Sequence, residues 1–90
     1  MQVAFSTHAA DRMQSRLGIR VNTGTKVNIT ANFKKVETYT HYQSGHTLEN
    51  WVNRDATTPV VLVIDTDTGS VVTVMTSGPI VEALYAKIKH

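Results

Sequence analysis

An uninterrupted apolar run in the C-terminal half constrains the fold of this chain more than any other feature. Residues Val60–Ile64 are all Val, Leu or Ile, and such a run predicts a strand over Val60–Asp65 that is buried on both faces. Thr66–Gly69 follows it and ends in a glycine, which suits a hairpin turn. The partner strand is then Ser70–Thr76, so a sheet forms the centre of the fold. Alternation along this strand predicts that Val72, Val74 and Thr76 face one way and that Val71, Thr73 and Met75 face the other.

A second hairpin is predicted upstream of the first. Lys35–Gln43 is rich in β-branched and aromatic residues, which favours a strand, and His46–Asn53 is expected to be its partner. Ser44-Gly45 between them is a turn signal. Val3–Phe5 is expected to be either a short lead-in strand or an extended arm. Alternation in the first of these strands predicts that Val36, Thr38, Thr40 and Tyr42 face one side and that Glu37, Tyr39 and His41 face the other.

Three segments are predicted to be helical. The first is Ser6–Ile19, because Ser6 or Thr7 can accept a hydrogen bond at the N-cap and Gly18 suits a C-terminal stop. A short second helix is expected over Thr25–Phe33, whose apolar residues fit neither period cleanly. The third begins at Pro79, a residue that is favourable at the first helical position. Its apolar face consists of Val81, Leu84, Tyr85 and Ile88, and Lys87, Lys89 and His90 close it with positive charge.

These elements predict one α+β domain over residues 1–90. The order is an N-terminal helix or two, four antiparallel strands, and a C-terminal helix. Helices that are segregated to one side of an antiparallel sheet define this class.

Composition narrows the range of functions. The chain has 90 residues, nine basic and seven acidic, with a net charge of +2, which is too mild to indicate nucleic-acid binding without a local basic patch. It contains no cysteine, so disulfides and thiolate metal sites are excluded. The longest apolar run is far too short to span a membrane. The first six residues contain no basic or strongly apolar export signal, so a cytoplasmic protein is expected.

The Ser6–Ile19 helix carries the residues that most suggest chemistry. His8, Arg12 and Arg16 occur at i, i+4 and i+8, so they form one stripe about 80° wide on the helix surface. A second, apolar stripe of Ala9, Ala10, Met13 and Leu17 lies beside it and is expected to pack on the core. Histidine transfers protons near neutral pH, and arginine binds phosphate oxygens with fixed geometry.

Metal-free cleavage of RNA is one reaction that these residue types could support. Attack by the 2′-hydroxyl needs a base, an acid and positive charge beside the phosphate. His8 could act with His41 or His46, and Tyr42 or Thr73 could donate hydrogen bonds. The alternative interpretation is a solvated helix face whose arginine stems cover apolar surface. Both interpretations stay open at this point.

The aromatic and acidic residues carry similar alternatives. Tyr39, Tyr42 and Trp51 could stack on bases, although aromatic residues on strands more often pack against neighbouring strands. The spacing of His41 and His46 matches no metal motif. Asp65 and Asp67 could suggest a cation site, but a hairpin turn explains them more simply. No metal and no other cofactor is therefore predicted.

The N-terminal helix also resembles the opening of a known family. The order His8-Ala9, Arg12-Met13, Arg16 and then Gly18-Ile19 is similar to that of small prokaryotic toxin-like proteins. These often begin with a Ser-x-His-Ala-x-x-Arg-Met helix and end with a hairpin of the Val-Val-x-Asp … Val-Thr-Val type. In this chain the hairpin reads Leu62–Asp65 and then Val71–Val74. Such proteins resemble the barnase–EndoU–colicin–RelE group of folds, which includes RelE-like and BrnT-like toxins.

The resemblance implies a helical N-terminal part packed on a four-stranded antiparallel sheet. Because many members of the group are metal-independent ribonucleases, it also implies that His8, Arg12 and Thr73 line a site, together with Arg16.

Two functional hypotheses follow. The first is a toxin-like, metal-independent endoribonuclease that cleaves RNA, free or on the ribosome, through 2′-hydroxyl attack. In it His8 and one of His41 and His46 transfer protons, and Arg12 and Arg16 bind the phosphate. Thr73 orients the phosphate, and Tyr42 and Trp51 contact the substrate. The second is a non-catalytic phage or mobile-element protein that binds a host protein or RNA. An antitoxin partner and a homodimer remain open under the first hypothesis.

Overall fold

The computed structural model describes residues 1–55 and 57–88, and this part of the chain forms six strands and two helices. The strands are β1 (Gln2–Phe5), β2 (Lys26–Asn28), β3 (Phe33–Thr40), β4 (Thr47–Asn53), β5 (Val61–Asp65) and β6 (Ser70–Met75). The helices are α1 (Thr7–Leu17) and α2 (Pro79–Ala86). The predicted α+β class is confirmed. Lys89 and His90, which were expected to close the last helix, lie outside the described residues.

The strands form one mixed sheet in the order β2-β1-β6-β5-β4-β3. Strands β3 to β6 are the four antiparallel strands that the sequence predicts. The expectation of a four-stranded antiparallel sheet is nevertheless wrong, because β1 adds to β6 in parallel and β2 adds to β1 in antiparallel orientation. Ala4 and Ser6 donate backbone hydrogen bonds of 3.0 Å to the carbonyls of Gly69 and Val71. The unpaired edge of β6 thus makes Val3–Phe5 a strand and not a free arm.

The helix predicted over Thr25–Phe33 is wrong. Lys26–Asn28 is a strand whose Val27 is paired with Val3 of β1, and a turn follows it. In this turn the Asn28 side chain accepts a hydrogen bond from the Thr30 amide at 3.0 Å. Asparagine and threonine side chains compete with helical hydrogen bonds in this way, and the free edge of β1 offers the backbone a better set of partners.

The two helices cover opposite faces of the sheet, whereas the sequence suggested helices on one side. Leu62 and Ile64 of β5 pack in one cluster with Ala9 and Met13 of α1. Val61, at the alternate position of β5, packs in a second cluster with α2. Because β5 is buried on both faces, as its apolar run predicts, each face needs a cover. The two sides are called the α1 face and the α2 face below.

Two β-bulges change which side chains share a face. Between β3 and β4, Lys35 is paired with Trp51 and Glu37 with Asn50, so Val36 is an extra residue. Between β5 and β6, Val63 is paired with Thr73 and Ile64 with Val71, so Val72 is an extra residue. Simple alternation therefore fails in both strands. In β6, Val71 and Val74 are both buried in the α1-face cluster. In β3, Val36 packs against the α2-face cluster, and its neighbour Glu37 bonds to Asn50 on the same face.

The ends of α1 are closed as predicted. Ser6 is the N-cap, and its hydroxyl accepts a hydrogen bond from the Ala9 amide at 3.1 Å. Gly18 ends the helix with φ of 68°, a left-handed conformation that glycine adopts without strain. The Ser6 hydroxyl also lies 3.5 Å from the Val72 carbonyl, so the cap joins α1 to β6.

A tyrosine fixes α2 to the sheet. Val81, Leu84 and Tyr85 of α2 are buried as predicted, and Ile88 is half-buried. The Tyr85 hydroxyl accepts a hydrogen bond from the Val60 amide at 2.9 Å and lies 3.2 Å from the carbonyls of Asn53 and Val60. It therefore closes the backbone at the joint between β4 and β5. Neither helix in the described part of the chain has the length and apolarity needed to cross a membrane.

Candidate functional site

The stripe of His8, Arg12 and Arg16 lies along α1 beside the residues that face the core. Ala9 and Met13 point into the α1-face cluster, which leaves His8 and Arg16 exposed and Arg12 half-buried. Arg16 crosses to the sheet, where its Nη1 donates a hydrogen bond of 3.2 Å to the Val74 carbonyl. This bond satisfies part of one guanidinium and orients it. The structure thus brings these three side chains to one surface, as the helical spacing predicts.

Thr73 does not join this surface. Val74, the next residue in β6, enters the α1-face cluster, and Thr73 therefore faces the other side of the sheet. There it lines a groove with Val63, to which it is paired, and with Asn50 of β4. The sheet therefore separates Thr73 from the α1 stripe.

His41 and His46 lie near the tip of the β3–β4 hairpin. The His41 amide donates a hydrogen bond of 2.9 Å to the His46 carbonyl, which closes the hairpin. Asn50 shares a row of the sheet with Val63 and Thr73. Because His46 precedes Asn50 by four residues, it lies about 13 Å further along the extended chain. The hairpin histidines are thus remote from Thr73. Because the sheet also separates Thr73 from the α1 stripe, the structure does not bring the six residues of the predicted catalytic set to one phosphate.

The two predicted substrate aromatics differ in accessibility. Trp51 is only 9% exposed and packs in the α1-face cluster, where its Nε1 donates a hydrogen bond of 2.9 Å to Glu49. It is a core residue and cannot stack on a base. Tyr42 is 87% exposed and stacks on His41 with ring centroids 5.6 Å apart. Of these two, only Tyr42 presents an aromatic surface to solvent.

His46 forms a pair with Asp65 that links the two hairpins. Its Nδ1 lies 2.7 Å from an Asp65 carboxylate oxygen, and this hydrogen bond raises the pKa of His46 above its ordinary value. For Asp65, burial opposes ionisation, but the bonds from His46 and from the Thr68 and Asp67 amides together lower its pKa. The imidazole is therefore held in one orientation, with Nε2 directed away from the carboxylate.

Asp67 completes a cluster that could in principle ligate a cation. One ligand atom from each of His46, Asp65 and Asp67 lies within 4.8 Å of the others. Each carboxylate, however, already accepts backbone hydrogen bonds. Asp65 accepts from the Asp67 amide at 2.9 Å, and Asp67 accepts from the Thr47 amide at 3.0 Å. The bond to Asp65 is that of a turn residue, whereas the bond to Asp67 joins the turn after β5 to the start of β4.

A groove on the α2 face is a feature that the sequence did not predict. Its volume is about 480 Å³, and its lining is Glu37, Tyr39, Asn50, Val63, Thr73, Met75 and Ile80. This volume lies within the range of small-molecule sites in proteins, roughly 300–1,000 Å³. The walls are mostly apolar, and the polar groups come from three different strands. We refer to it as the α2-face groove.

Asn50 is the most unusual residue of the α2-face groove. It is 4% exposed, and its Nδ2 donates a short hydrogen bond of 2.6 Å to Glu37. Its Oδ1 is buried and has no hydrogen-bond partner among the described residues. A buried amide oxygen without a partner destabilises the folded state by about 1–3 kcal/mol. Such a group in a native fold calls for a reason.

Glu37 and Tyr39 give the groove its electrostatic character. Hydrogen bonds from Lys87, at 2.8 Å, and from Asn50 lower the pKa of Glu37, although burial opposes this. Burial raises the pKa of Tyr39, and the negative charge of Glu37 raises it further. At neutral pH the groove therefore contains a carboxylate and a neutral phenol.

Sequence reasoning missed this groove for an identifiable reason. Strict alternation in β3 places Glu37 opposite to Val36, and only the bulge at Val36 brings both to the α2 face. The available signal was Asn50, an asparagine that directly precedes the apolar Trp51 and Val52 in β4.

The chain was also compared with protein-family models, with curated proteins and with solved structures, and nothing matches it. The resemblance of its N-terminal motif to toxin-like proteins stays a prediction. Its functional assignment depends on the geometry of its own residues.

Proposed function

We propose that this protein binds single-stranded RNA through the basic stripe of α1 without cleaving it. The observation that carries this proposal is the arrangement of exposed His8 and Arg16 and half-buried Arg12 on one side of a helix whose other side is packed into the core. The side chains that cleavage would require, Thr73 and the hairpin histidines, lie elsewhere on the molecule. This is the non-catalytic alternative of the two sequence hypotheses, with RNA as its ligand.

The charges around the stripe support phosphate binding. Three ion pairs occur in the part of the chain that the structure describes, and none of them involves Arg12 or Arg16. Both guanidiniums therefore keep donors for an incoming phosphate. From His8 to Arg16 the stripe extends about 12 Å along the helix. The bond from Arg16 to the Val74 carbonyl reduces the conformational freedom that binding has to remove.

Salt dependence tests the proposal directly. Each phosphate that a protein neutralises on a single strand contributes about −0.7 to the slope of log K against log salt concentration. Arg12→Gln is expected to weaken binding to a short mixed-sequence RNA at low salt and to reduce the slope by about 0.7. Fluorescence anisotropy between about 50 and 200 mM salt measures both quantities.

Lys34→Gln is the matched control for Arg12→Gln. It removes the same formal charge from an exposed position on β3, the edge strand furthest from β1. We expect it to leave the slope unchanged. Equal slopes for the two variants would show only a general attraction to a basic protein. Absence of RNA binding by the parent protein at low salt would contradict the proposal and favour a host protein as the target.

Metal-independent RNA cleavage is the second candidate function, and the His46–Asp65 pair is the observation that favours it. A carboxylate that holds one imidazole nitrogen leaves the other oriented for proton transfer, as in catalytic triads. The test is incubation of the protein with total RNA and EDTA between pH 5 and 8, a range that spans histidine titration. Cleavage that is lost in both His46→Ala and His8→Ala would restore the ribonuclease hypothesis. Intact RNA throughout would leave RNA binding without cleavage.

A further inference from the structure

The α2-face groove combines two acceptors that are not fully used. Asn50 lines the groove and donates its Nδ2 to Glu37, and its Oδ1 belongs to the same amide group. This Oδ1 is buried without a partner among the described residues. The second Glu37 oxygen is bonded to Lys87, whose side chain is 55% exposed and belongs to the turn after α2. The Oδ1 is closed to solvent, so a ligand with several N–H donors can bond to both acceptors if it replaces the exposed lysine and the Asn50 amide turns towards the groove.

The remainder of the groove is suited to an apolar body. Val63, Met75 and Ile80 supply aliphatic and thioether surface, and the Tyr39 ring forms another wall. Ile80 is 59% exposed although it is a large apolar residue at the start of α2. A flat hydrophobic group in the groove would cover it. The Tyr39 ring can also attract a cation placed near its face.

The charge of Glu37 determines which kind of ligand head group can bind in the groove. Glu37 is the one carboxylate that lines the groove, and both Asn50 Oδ1 and the carboxylate oxygens accept hydrogen bonds. An anion would meet the like charge of Glu37, and only the hydroxyls of Tyr39 and Thr73 could donate hydrogen bonds to it. A planar cation with a fork of N–H groups would bond to a carboxylate oxygen and to an amide oxygen at once.

The geometry points to a binding site in the α2-face groove for a small organic cation. Such a ligand has an apolar ring or chain and an amidinium or guanidinium head that bonds to Glu37 and to Asn50 Oδ1. This site lies on the opposite face of the sheet from the α1 stripe, so it is independent of RNA binding.

Three isosteric probes test the proposal on the full chain. Benzamidine, benzamide and benzoate share a ring and differ in the charge and donors of the head group. Titration followed by ¹H–¹⁵N NMR should show saturable shifts of the Asn50 side-chain amide and of the Val63 and Thr73 backbone amides with benzamidine. Benzamide should bind about tenfold more weakly, because its bonds lack the ionic contribution. Benzoate should cause no saturable shift.

Substitutions at the two ionic partners should act in opposite directions. Glu37→Gln should weaken benzamidine binding about tenfold or more, since a charge-assisted hydrogen bond is lost. Lys87→Met should strengthen it by up to about fivefold, because the exposed competitor for the carboxylate is removed. A merely structural role of the Glu37–Lys87 pair would make both variants lose affinity or leave both unchanged.

A steric pair of variants locates the binding site even if Glu37→Gln folds poorly. Ile80→Trp fills the groove from an exposed position and should abolish benzamidine binding. Ile19→Trp changes an isoleucine that is 48% exposed and outside the groove, and it should leave the affinity unchanged. Equal binding of benzoate and benzamidine, unsaturable shifts in the parent protein, or full binding by Ile80→Trp would each overturn the proposal.

Discussion

The α1 face and the α2 face of the sheet differ in how completely they are covered. Among the described residues, the cluster on the α1 face contains eleven buried apolar residues, and the cluster on the α2 face contains five. The second helix has eight residues and is therefore only about 12 Å long. It covers one end of its face and leaves the groove beside it.

The polar residues are distributed in accordance with this difference. The α2 face carries Glu37, Asn50 and Thr73 in its groove, where a ligand can form hydrogen bonds with them. On the α1 face the charged groups of α1 lie outside the apolar cluster, where Arg16 contacts the Val74 carbonyl and His8 is exposed to solvent. One scaffold thus presents a basic helix surface on one face of the sheet and a groove lined by polar and apolar residues on the other.

The largest expected effect on stability concerns the α1 face. Leu62 is fully buried in the α1-face cluster, so Leu62→Ala should lower the free energy of unfolding by about 3 kcal/mol. Urea denaturation measures this loss. Ile80→Ala, at the exposed edge of the groove, should change the free energy of unfolding by no more than about 0.5 kcal/mol. Equal losses in the two variants would show that the α2 face is as tightly packed as the other.

Tyr85→Phe tests the attachment of the smaller cluster. The substitution keeps the ring but leaves the buried Val60 amide without its 2.9 Å acceptor. We expect a loss of about 2 kcal/mol in the free energy of unfolding. Tyr42→Phe is the control, because that ring is 87% exposed, and it should have almost no effect. A negligible change in Tyr85→Phe would mean that apolar contacts alone hold α2 on the sheet.

The two helices differ at their N-termini, and Ser6→Ala should reveal this. Ser6 caps α1 through its hydroxyl, whereas α2 begins at Gly78 without a side-chain cap. Removal of the Ser6 hydroxyl should lower stability by about 1 kcal/mol. Ser77→Ala, one residue before Gly78, should be neutral within about 0.5 kcal/mol. Thermal and urea unfolding followed by circular dichroism distinguish the two results.

The smallest effect is expected at the His46–Asp65 pair, and it depends on pH. The raised pKa of His46 means that the folded state gains stability below the ordinary value of 6.5 and loses this gain as pH rises through the raised pKa. The lowered pKa of Asp65 means that its contribution persists until pH falls below the ordinary value of 3.8. The stability difference between the parent and His46→Gln should therefore be largest near about pH 5 and shrink towards about pH 8. A difference that is constant with pH would contradict the pairing.

Local sequence patterns predicted much of the fold. The apolar run of β5 indicated a strand buried on both faces, the Ser6 and Gly18 signals bounded α1, and Pro79 marked the start of α2. These features depend on residues close together in the chain. The pairing of β1 with β6 was not predictable in the same way, because Ala4 and Ser70 are distant in sequence and β1 is only four residues long.

The same distinction applies to the sites. Helical spacing alone determined that His8, Arg12 and Arg16 share a surface, because a helix repeats every 3.6 residues whatever it packs against. Only the tertiary structure decided that Thr73 lies on the other side of the sheet from them and that Glu37 lies beside Asn50. The physical reason is the pair of bulges at Val36 and Val72. Each inserts one residue into a strand and so reverses the side to which the following side chains point, and the partner strand determines where the extra residue is accommodated.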